Sequence, residues 1–164
     1  MAASEFFIFQ RPNAAQAYDS FEKAYKGGSD GYRTIEMTVP ASASALPATI
    51  AGDVQKFTSG DRFASDCVCS GTLLKTGDTW GVLRHDAIAA TTAAYCISGV
   101  FALLCTAGGT FTAGIDLYVV TATGKLSESN ASATFIGKCI SVEVNPIGRP
   151  AGTYATVEIN QTEL

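Results

Sequence analysis

The sequence has few charged residues and no cluster of basic ones. Only 16% of its 164 residues are charged, the formal net charge is −4, and no two lysines or arginines are adjacent. Proteins that bind nucleic acid neutralise phosphates with clustered Lys and Arg, so this chain lacks the electrostatic footprint for that partner. Because 47% of the residues are hydrophobic, the low charge also argues against intrinsic disorder and for a folded core.

Long apolar stretches are missing as well. The longest one, near residues 97–104, is interrupted by Ser98 and Gly99 and is shorter than the roughly 20 residues that a membrane-spanning helix needs. The amino terminus has no basic residue ahead of its apolar cluster and carries Glu5 there, unlike a signal peptide. We therefore predict a soluble protein made in the cytoplasm, with no membrane partner.

Side chains that carry chemistry are scarce and form no complete site. The single histidine, His85, lies between Arg84 and Asp86, and neighbours on a strand point to opposite faces, so the three do not form a catalytic group. There is neither a Gly-rich phosphate loop followed by a helix nor a Gly-x-Ser-x-Gly nucleophile elbow. We predict a non-enzymatic protein without a cofactor, with His85 in a loop or at the surface.

The cysteines do not form a metal site either. Cys67 and Cys69 fall on one face of a strand, but their spacing is not C-x2-C and no second pair supplies the other ligands that zinc needs. An odd number of cysteines cannot all pair within one chain, so we expect them to be buried small hydrophobic residues. The five are Cys67, Cys69, Cys96, Cys105 and Cys139.

Residues 1–33 are predicted to form an amino-terminal arm that carries one amphipathic helix at about residues 14–26. Asn13 is a good N-cap with Gln16 at capping-box spacing, apolar residues then recur every three or four positions, and Gly27 and Gly28 end the pattern. Whether this stripe packs on its own domain or on a neighbouring subunit stays open. The candidate capsid or inter-subunit contacts in the arm are Phe6, Phe7, Ile8, Phe9, Tyr18, Phe21 and Tyr25.

Residues 34–164 are predicted to form an all-β domain. The period changes to two at Ile35, Met37 and Val39, and turn signals rich in Gly, Asp and Thr separate many short strand-like segments. Such spacing is typical of a compact barrel or sandwich. The predicted strands after the first are 54–57, 64–69, 72–74, 80–84, 94–98, 100–105, 117–121, 135–144 and 153–159.

Several short motifs follow one another between residues 50 and 160. They are WGV at 80–82, DA at 86–87, SGVFAL at 98–103, FTAGIDLYV at 111–119, GKL at 124–126, FIGKC at 135–139 and ATVEI at 155–159. The order of these motifs resembles that of the phage capsid cement, or decoration, family. Two features depart from the family pattern: the added arm, and Ala89-Ala90-Thr91-Thr92 where a Gly is expected after Asp-Ala.

The resemblance implies a barrel-like or β-tulip-like decoration fold. It also implies a structural virion protein that binds the major capsid protein on the outer surface of the assembled capsid, as a homotrimer at three-fold or quasi-three-fold positions. Two other classes remain: a virion-surface binding module, such as a head-fibre base or carbohydrate-binding domain, and a small hydrolase, which the missing catalytic groups make the weakest of the three.

Overall fold

The computed structural model describes residues 20–27, 31–39, 67–68, 70–88, 90–120, 124–131, 133–149 and 151–161, and the statements below concern these residues. Within them the chain forms one short helix and ten strands. They are α1 (Phe21–Ala24), β1 (Arg33–Thr38), β2 (Cys67–Val68), β3 (Leu73–Thr76), β4 (Thr79–Leu83), β5 (Ala87–Ile88), β6 (Thr92–Leu104), β7 (Asp116–Val120), β8 (Leu126–Ser127), β9 (Ala133–Val144) and β10 (Thr153–Asn160). No helix among the described residues is long and apolar enough to cross a membrane.

An antiparallel sheet in the order β3-β4-β6-β10-β9-β7-β8 makes up most of the domain, with β1 also paired to β6. The sheet curls into a half-barrel, which confirms the predicted all-β, barrel-like fold. β6 has thirteen residues and pairs with β1, β4 and β10. β2 and β5 form a separate two-stranded sheet.

The main core is an apolar cluster against β6, β7, β9 and β10. Phe101, Leu117 and Ile159 are among its largest fully buried side chains. A minor core lies around Tyr95 and Leu83 and includes Val39, which follows β1. The buried members of the main core are Phe21, Ala24, Leu73, Trp80, Val82, Cys96, Phe101, Leu103, Cys105, Phe111, Leu117, Val119, Leu126, Ile136, Cys139, Ala155, Val157 and Ile159.

β6 contributes to both cores through alternate side chains, and this alternation is interrupted once along the strand. Cys96 and Phe101 are an odd number of positions apart, yet both belong to the main core, whereas a regular strand would turn them to opposite faces. The interruption lies where the pairing with β1 skips Ile97 and where Gly99 has a φ of +131°. A Cβ at Gly99 would meet the Phe101 ring at 3.0 Å, so glycine suits this close approach. The two strands predicted at 94–98 and 100–105 are therefore one bulged strand.

Most other predicted strands are present with shifted ends. The strand at Ile35 and Met37 is confirmed, with both side chains half-buried and their neighbours exposed. The strands predicted at 117–121, 135–144 and 153–159 correspond to β7, β9 and β10. The two-residue strands β5 and β8 were not predicted, because segments this short carry no periodic signal. The predicted strand 54–57 and residues 64–66 lie outside the described residues.

The helix ends earlier than its apolar stripe predicts. Ser20 is the N-cap, its side chain accepts a hydrogen bond from the Lys23 N–H, and Tyr25 already has an extended backbone with ψ 126°. Helix α1 stops there because the next residues join the sheet: the Lys26 N–H donates to the Val100 carbonyl at 2.7 Å, and Tyr25 pairs with Phe101. The predicted end at residue 26 is thus corrected to Ala24. The predicted helix over 14–26 is also interrupted at Ser20, whose backbone is extended and which caps a helix beginning at Phe21. Asn13, Gln16 and residues 14–19 lie outside the described residues.

Candidate interaction surface

Helix α1 is attached to its own β domain by aromatic contacts. Phe21 is 3% exposed, and the centroid of its ring lies 5.1 Å from that of Tyr32 and 5.7 Å from that of Phe101. Tyr25 is half-buried, and its ring centroid lies 5.5 Å from that of Phe21 and 5.4 Å from that of Phe101. The guanidinium of Arg84 stacks 4.3 Å from the Phe21 ring centroid.

Polar contacts fix the start of the same helix. The Phe21 N–H donates to the Ser70 hydroxyl at 3.0 Å, and the Ser70 N–H donates to the Asp86 carboxylate at 2.8 Å. Asp86 thus fixes Ser70, which in turn holds the first residue of the helix. Arg84 also forms an ion pair with Glu22 at 3.3 Å.

These contacts overturn the prediction that Phe21 is a contact residue, and they leave only part of the Tyr25 side chain accessible to a partner. Phe21 offers no surface to a neighbouring subunit because its ring lies in the main core of its own chain. Tyr25 packs against the same core and is only partly accessible. Phe6, Phe7, Ile8, Phe9 and Tyr18 lie outside the described residues, and their role as contacts remains a prediction.

The structure shows a different apolar surface, on β9 and the turn that follows it. Of the described residues, five large hydrophobic side chains are exposed, and four of them lie within residues 135–147. These four are Phe135, Ile140, Val144 and Ile147, with exposed fractions of 54%, 52%, 66% and 101%. Phe135 is accompanied by Tyr118 on β7, with ring centroids 5.9 Å apart. We call these four residues and Tyr118 the β9 apolar surface.

Two irregularities in β9 place some of these residues at the surface. The pairing with β7 runs from Gly137 to Phe135 and skips Ile136, and the pairing with β10 runs from Ser141 to Cys139 and skips Ile140. A β-bulge of this kind re-aims a side chain and restarts the alternation. Ile136 therefore joins the main core, whereas Ile140 is half exposed. The sequence predicted the strand and missed the surface, because bulges leave no signal in the apolar pattern.

An open groove of about 510 Å³ lies beside Ile140. Its lining is mixed, with aliphatic side chains next to a lysine, a glutamate and two hydroxyl residues. The lining residues are Lys26, Val100, Ile140, Ser141, Val142, Glu143 and Thr156. At the other side of β9, Lys138 pairs with Asp116 at 2.6 Å in an exposed contact. An exposed pair within one chain like this one adds only about 0–1 kcal/mol to the stability of the fold.

The residues described above form an apolar contact surface. His85 is exposed in the bend between β4 and β5, as predicted. Within the described ranges no group of three or more His, Cys, Asp or Glu side chains is arranged to hold a metal ion. The side chains of Cys67 and Cys69 are not among those described. The arrangement as a whole presents apolar side chains with a few charges at its edge, which suits binding to another protein.

The buried cysteines give a testable pH dependence. Burial raises the pKa of Cys96 and of Cys105 from 9.0 to about 12, and it also raises the pKa of Cys139. Between pH 9 and 12 the Cys96 and Cys105 thiols stay protonated in the folded protein but ionise in the unfolded chain, so the unfolded state binds fewer protons there. We expect stability to be unaffected by these thiols below pH 9 and to fall above it, by at most about 1.4 kcal/mol per pH unit for each thiol.

Urea unfolding at several pH values measures this effect. The variant Cys96→Ala removes one titrating thiol and should have a shallower alkaline loss of stability than the unchanged chain. Equal slopes in the two proteins would contradict the assignment to Cys96.

The sequence matches the phage cement protein family over residues 51–147, more than half of the chain. The fold extends beyond the matched range on both sides. Strand β10, which begins at Thr153, lies between β6 and β9 in the centre of the sheet, and α1 and β1 pack on β6 before the match begins. The family's matched segment includes all five residues of the β9 apolar surface and ends at Ile147.

Neither a curated protein nor a solved structure gives a significant match to the chain. The family match agrees with the ordered motifs between residues 80 and 139 and with the half-barrel sheet that carries them. The chain belongs to the phage cement protein family, whose members are structural phage proteins.

Proposed function

We propose that this protein binds the outer surface of the assembled phage capsid and stabilises it. The family assigns the chain to the capsid. The structural observation that carries the proposal is the β9 apolar surface, where Phe135, Ile140, Val144 and Ile147 are exposed within one short segment. Large apolar side chains gathered at the surface of a soluble domain mark a place of protein contact.

The stabilisation follows from linkage. A protein that binds the assembled shell and not its free subunits adds RT ln(1 + [L]/Kd) to the stability of the shell, which is about 2.7 kcal/mol for each site at a hundredfold excess over Kd. Full burial of a large apolar side chain contributes roughly 1.5–3 kcal/mol, more than an exposed ion pair. In this proposal, apolar contacts on β9 supply most of the binding energy, and exposed ion pairs supply little.

The partner in this proposal is the major capsid protein, and the protein acts as a homotrimer on the virion exterior, at three-fold or quasi-three-fold positions. Both statements rest on what the resemblance to the cement family implies. Assembly then takes place in the host cytoplasm, where capsids form. The apolar residues Phe6, Phe7, Ile8 and Phe9 remain candidates for a strap that reaches the capsid or a neighbouring copy.

Sedimentation with purified capsids assembled without this protein tests the proposal. We expect the full chain to pellet with intact capsids, to stay in solution with unassembled capsid protein, and to raise the temperature at which the capsids fall apart. Light scattering of the unbound protein gives its stoichiometry. A chain that binds neither form, or binds both equally without changing capsid stability, would contradict the proposal.

A further inference from the structure

The turn between β9 and β10 places one apolar side chain entirely in water. Ile147 is 101% exposed, whereas Arg149, two positions further on, is buried. Asn145, two positions before it, is hydrogen-bonded to Gly152. Three described residues of the turn have a positive φ: Asn145 with φ +49°, Gly148 with φ +82° and Gly152 with φ +148°. A non-glycine residue with positive φ is uncommon, and such a conformation persists only where surrounding contacts hold it.

Hydrogen bonds close the base of this turn. The Asn145 N–H donates to the Gly152 carbonyl at 2.8 Å, and the Gly152 N–H donates back to the Asn145 side-chain oxygen at 2.8 Å. Within the turn, the Arg149 N–H donates to the Pro146 carbonyl at 3.3 Å. The backbone on both sides of Ile147 is therefore held in one shape.

The turn is also fastened to the body of the protein. Arg149 is only 5% exposed, and its guanidinium stacks 3.9 Å from the ring centroid of Tyr154 and donates to the Lys23 carbonyl at 3.5 Å. The Lys23 ammonium in turn donates to the Gly148 carbonyl. Both cations near the turn are thus engaged with the protein itself, and the apex, formed by Pro146, Ile147 and Gly148, carries no charged side chain.

We infer that Ile147 is a preformed anchor that enters an apolar, uncharged pocket on the capsid protein; this inference rests on the proposed function. A rigid turn that presents an aliphatic side chain loses little conformational freedom on binding, so most of the gain from its burial appears as affinity. The neutral apex fits a pocket without charge and does not fit a phosphate or an acidic surface.

The groove beside Ile140 on a second copy of this protein would fit Ile147 less well than an apolar pocket on the capsid protein. Four of its seven lining residues are polar or charged: Lys26, Ser141, Glu143 and Thr156. An aliphatic side chain seated there would desolvate those groups without offering them a hydrogen bond, which costs binding energy. Capsid protein, the partner in the proposed function, is therefore the inferred occupant, and a second copy is the alternative that light scattering distinguishes.

Capsid sedimentation with three full-length variants tests the anchor. Ile147→Ala should lower the affinity for capsids ten- to about a hundredfold, the loss expected when a buried branched side chain is truncated. Ile147→Leu keeps the apolar volume and should lose less than about threefold. Asn145→Gly keeps the left-handed conformation and the backbone bond to the Gly152 carbonyl but removes the side-chain oxygen that accepts from the Gly152 N–H. The looser turn should bind about three- to tenfold more weakly.

Ala151→Ser, an exposed position in the same connection between β9 and β10, is the matched control and should bind like the unchanged chain. Equal binding by Ile147→Ala and the unchanged chain would overturn the anchor while leaving the proposed function intact. An altered oligomeric state of Ile147→Ala in light scattering would overturn it in favour of a second copy as the occupant. If the unchanged chain does not bind capsids at all, the proposed function itself fails.

Discussion

Replacing Phe21 by Ala is expected to lower the free energy of unfolding by about 3–5 kcal/mol, the usual cost of truncating a buried Phe. Phe21 is 3% exposed, its ring contacts those of Tyr25, Tyr32 and Phe101, and Arg84 stacks on it. The cavity would lie between α1 and β6, where little else can move in. Urea unfolding followed by tryptophan fluorescence measures the change, since Trp80 is buried in the same core.

Lys26→Ala is the matched control for this prediction, since Lys26 is exposed and lies in the same segment. Its stability should stay within about 0.5 kcal/mol of the unchanged chain, as for most surface substitutions. An equally small effect of Phe21→Ala would show that α1 does not belong to the core in solution.

Because Phe21 and Ala24 belong to the main core, the effect of truncating the arm on stability depends on where the deletion ends. A deletion that ends before Ser20 removes none of the described core, so the domain should stay folded, and any loss of capsid occupancy would then support a strap formed by residues 6–9. A deletion through residue 30 also removes Phe21 and Ala24 from the main core. This longer deletion is therefore expected to destabilise the domain at least as much as Phe21→Ala, and it cannot test the strap separately.

The double variant Phe135→Thr, Ile140→Thr is expected to lose capsid binding by a hundredfold or more while staying folded. Both side chains are about half exposed in the free protein, so only that half is newly buried on binding. Replacing each by Thr therefore removes roughly 1 kcal/mol of binding free energy from apolar burial. Each new hydroxyl, if left unpaired in the contact, adds about 1–3 kcal/mol. Threonine keeps a high preference for strands, so β9 should form as before.

Capsid sedimentation measures the binding of this variant, and urea unfolding establishes that its fold is unchanged. A matched control is the pair Thr34→Ser, Glu36→Gln, which changes two exposed positions on β1 and leaves the β9 apolar surface intact. Full capsid occupancy by a folded Phe135→Thr, Ile140→Thr protein would exclude β9 as the contact surface.

The fold class could be predicted from the sequence because strand alternation and turn chemistry are local properties. The alternation of Ile35 and Met37 with polar neighbours predicted β1, and apolar segments between turn residues located β7, β9 and β10 to within a few residues. The ordered motifs pointed to the cement family, and the match over residues 51–147 confirmed that family.

The surface of β9 depended on pairing with other strands, which the sequence does not display. Ile136 and Ile140 look alike in the sequence, yet one joins the core and the other is half exposed, because each is skipped by a different neighbouring strand. The apolar content of β9 alone predicts a buried strand. Its exposed residues were therefore missed, although they form the candidate contact surface.

The arm separates what the sequence determines from what only the tertiary structure decides. Its sequence by itself determined that the segment around Phe21 is amphipathic and needs an apolar partner, because that follows from the spacing of apolar residues along a helix. Tertiary structure alone decided which partner receives it: Lys26 and Tyr25 pair with β6, and this pairing both ends the helix at Ala24 and seats Phe21 on Phe101. Periodicity states which face of a segment is apolar, whereas the surface that buries it depends on residues distant in the chain.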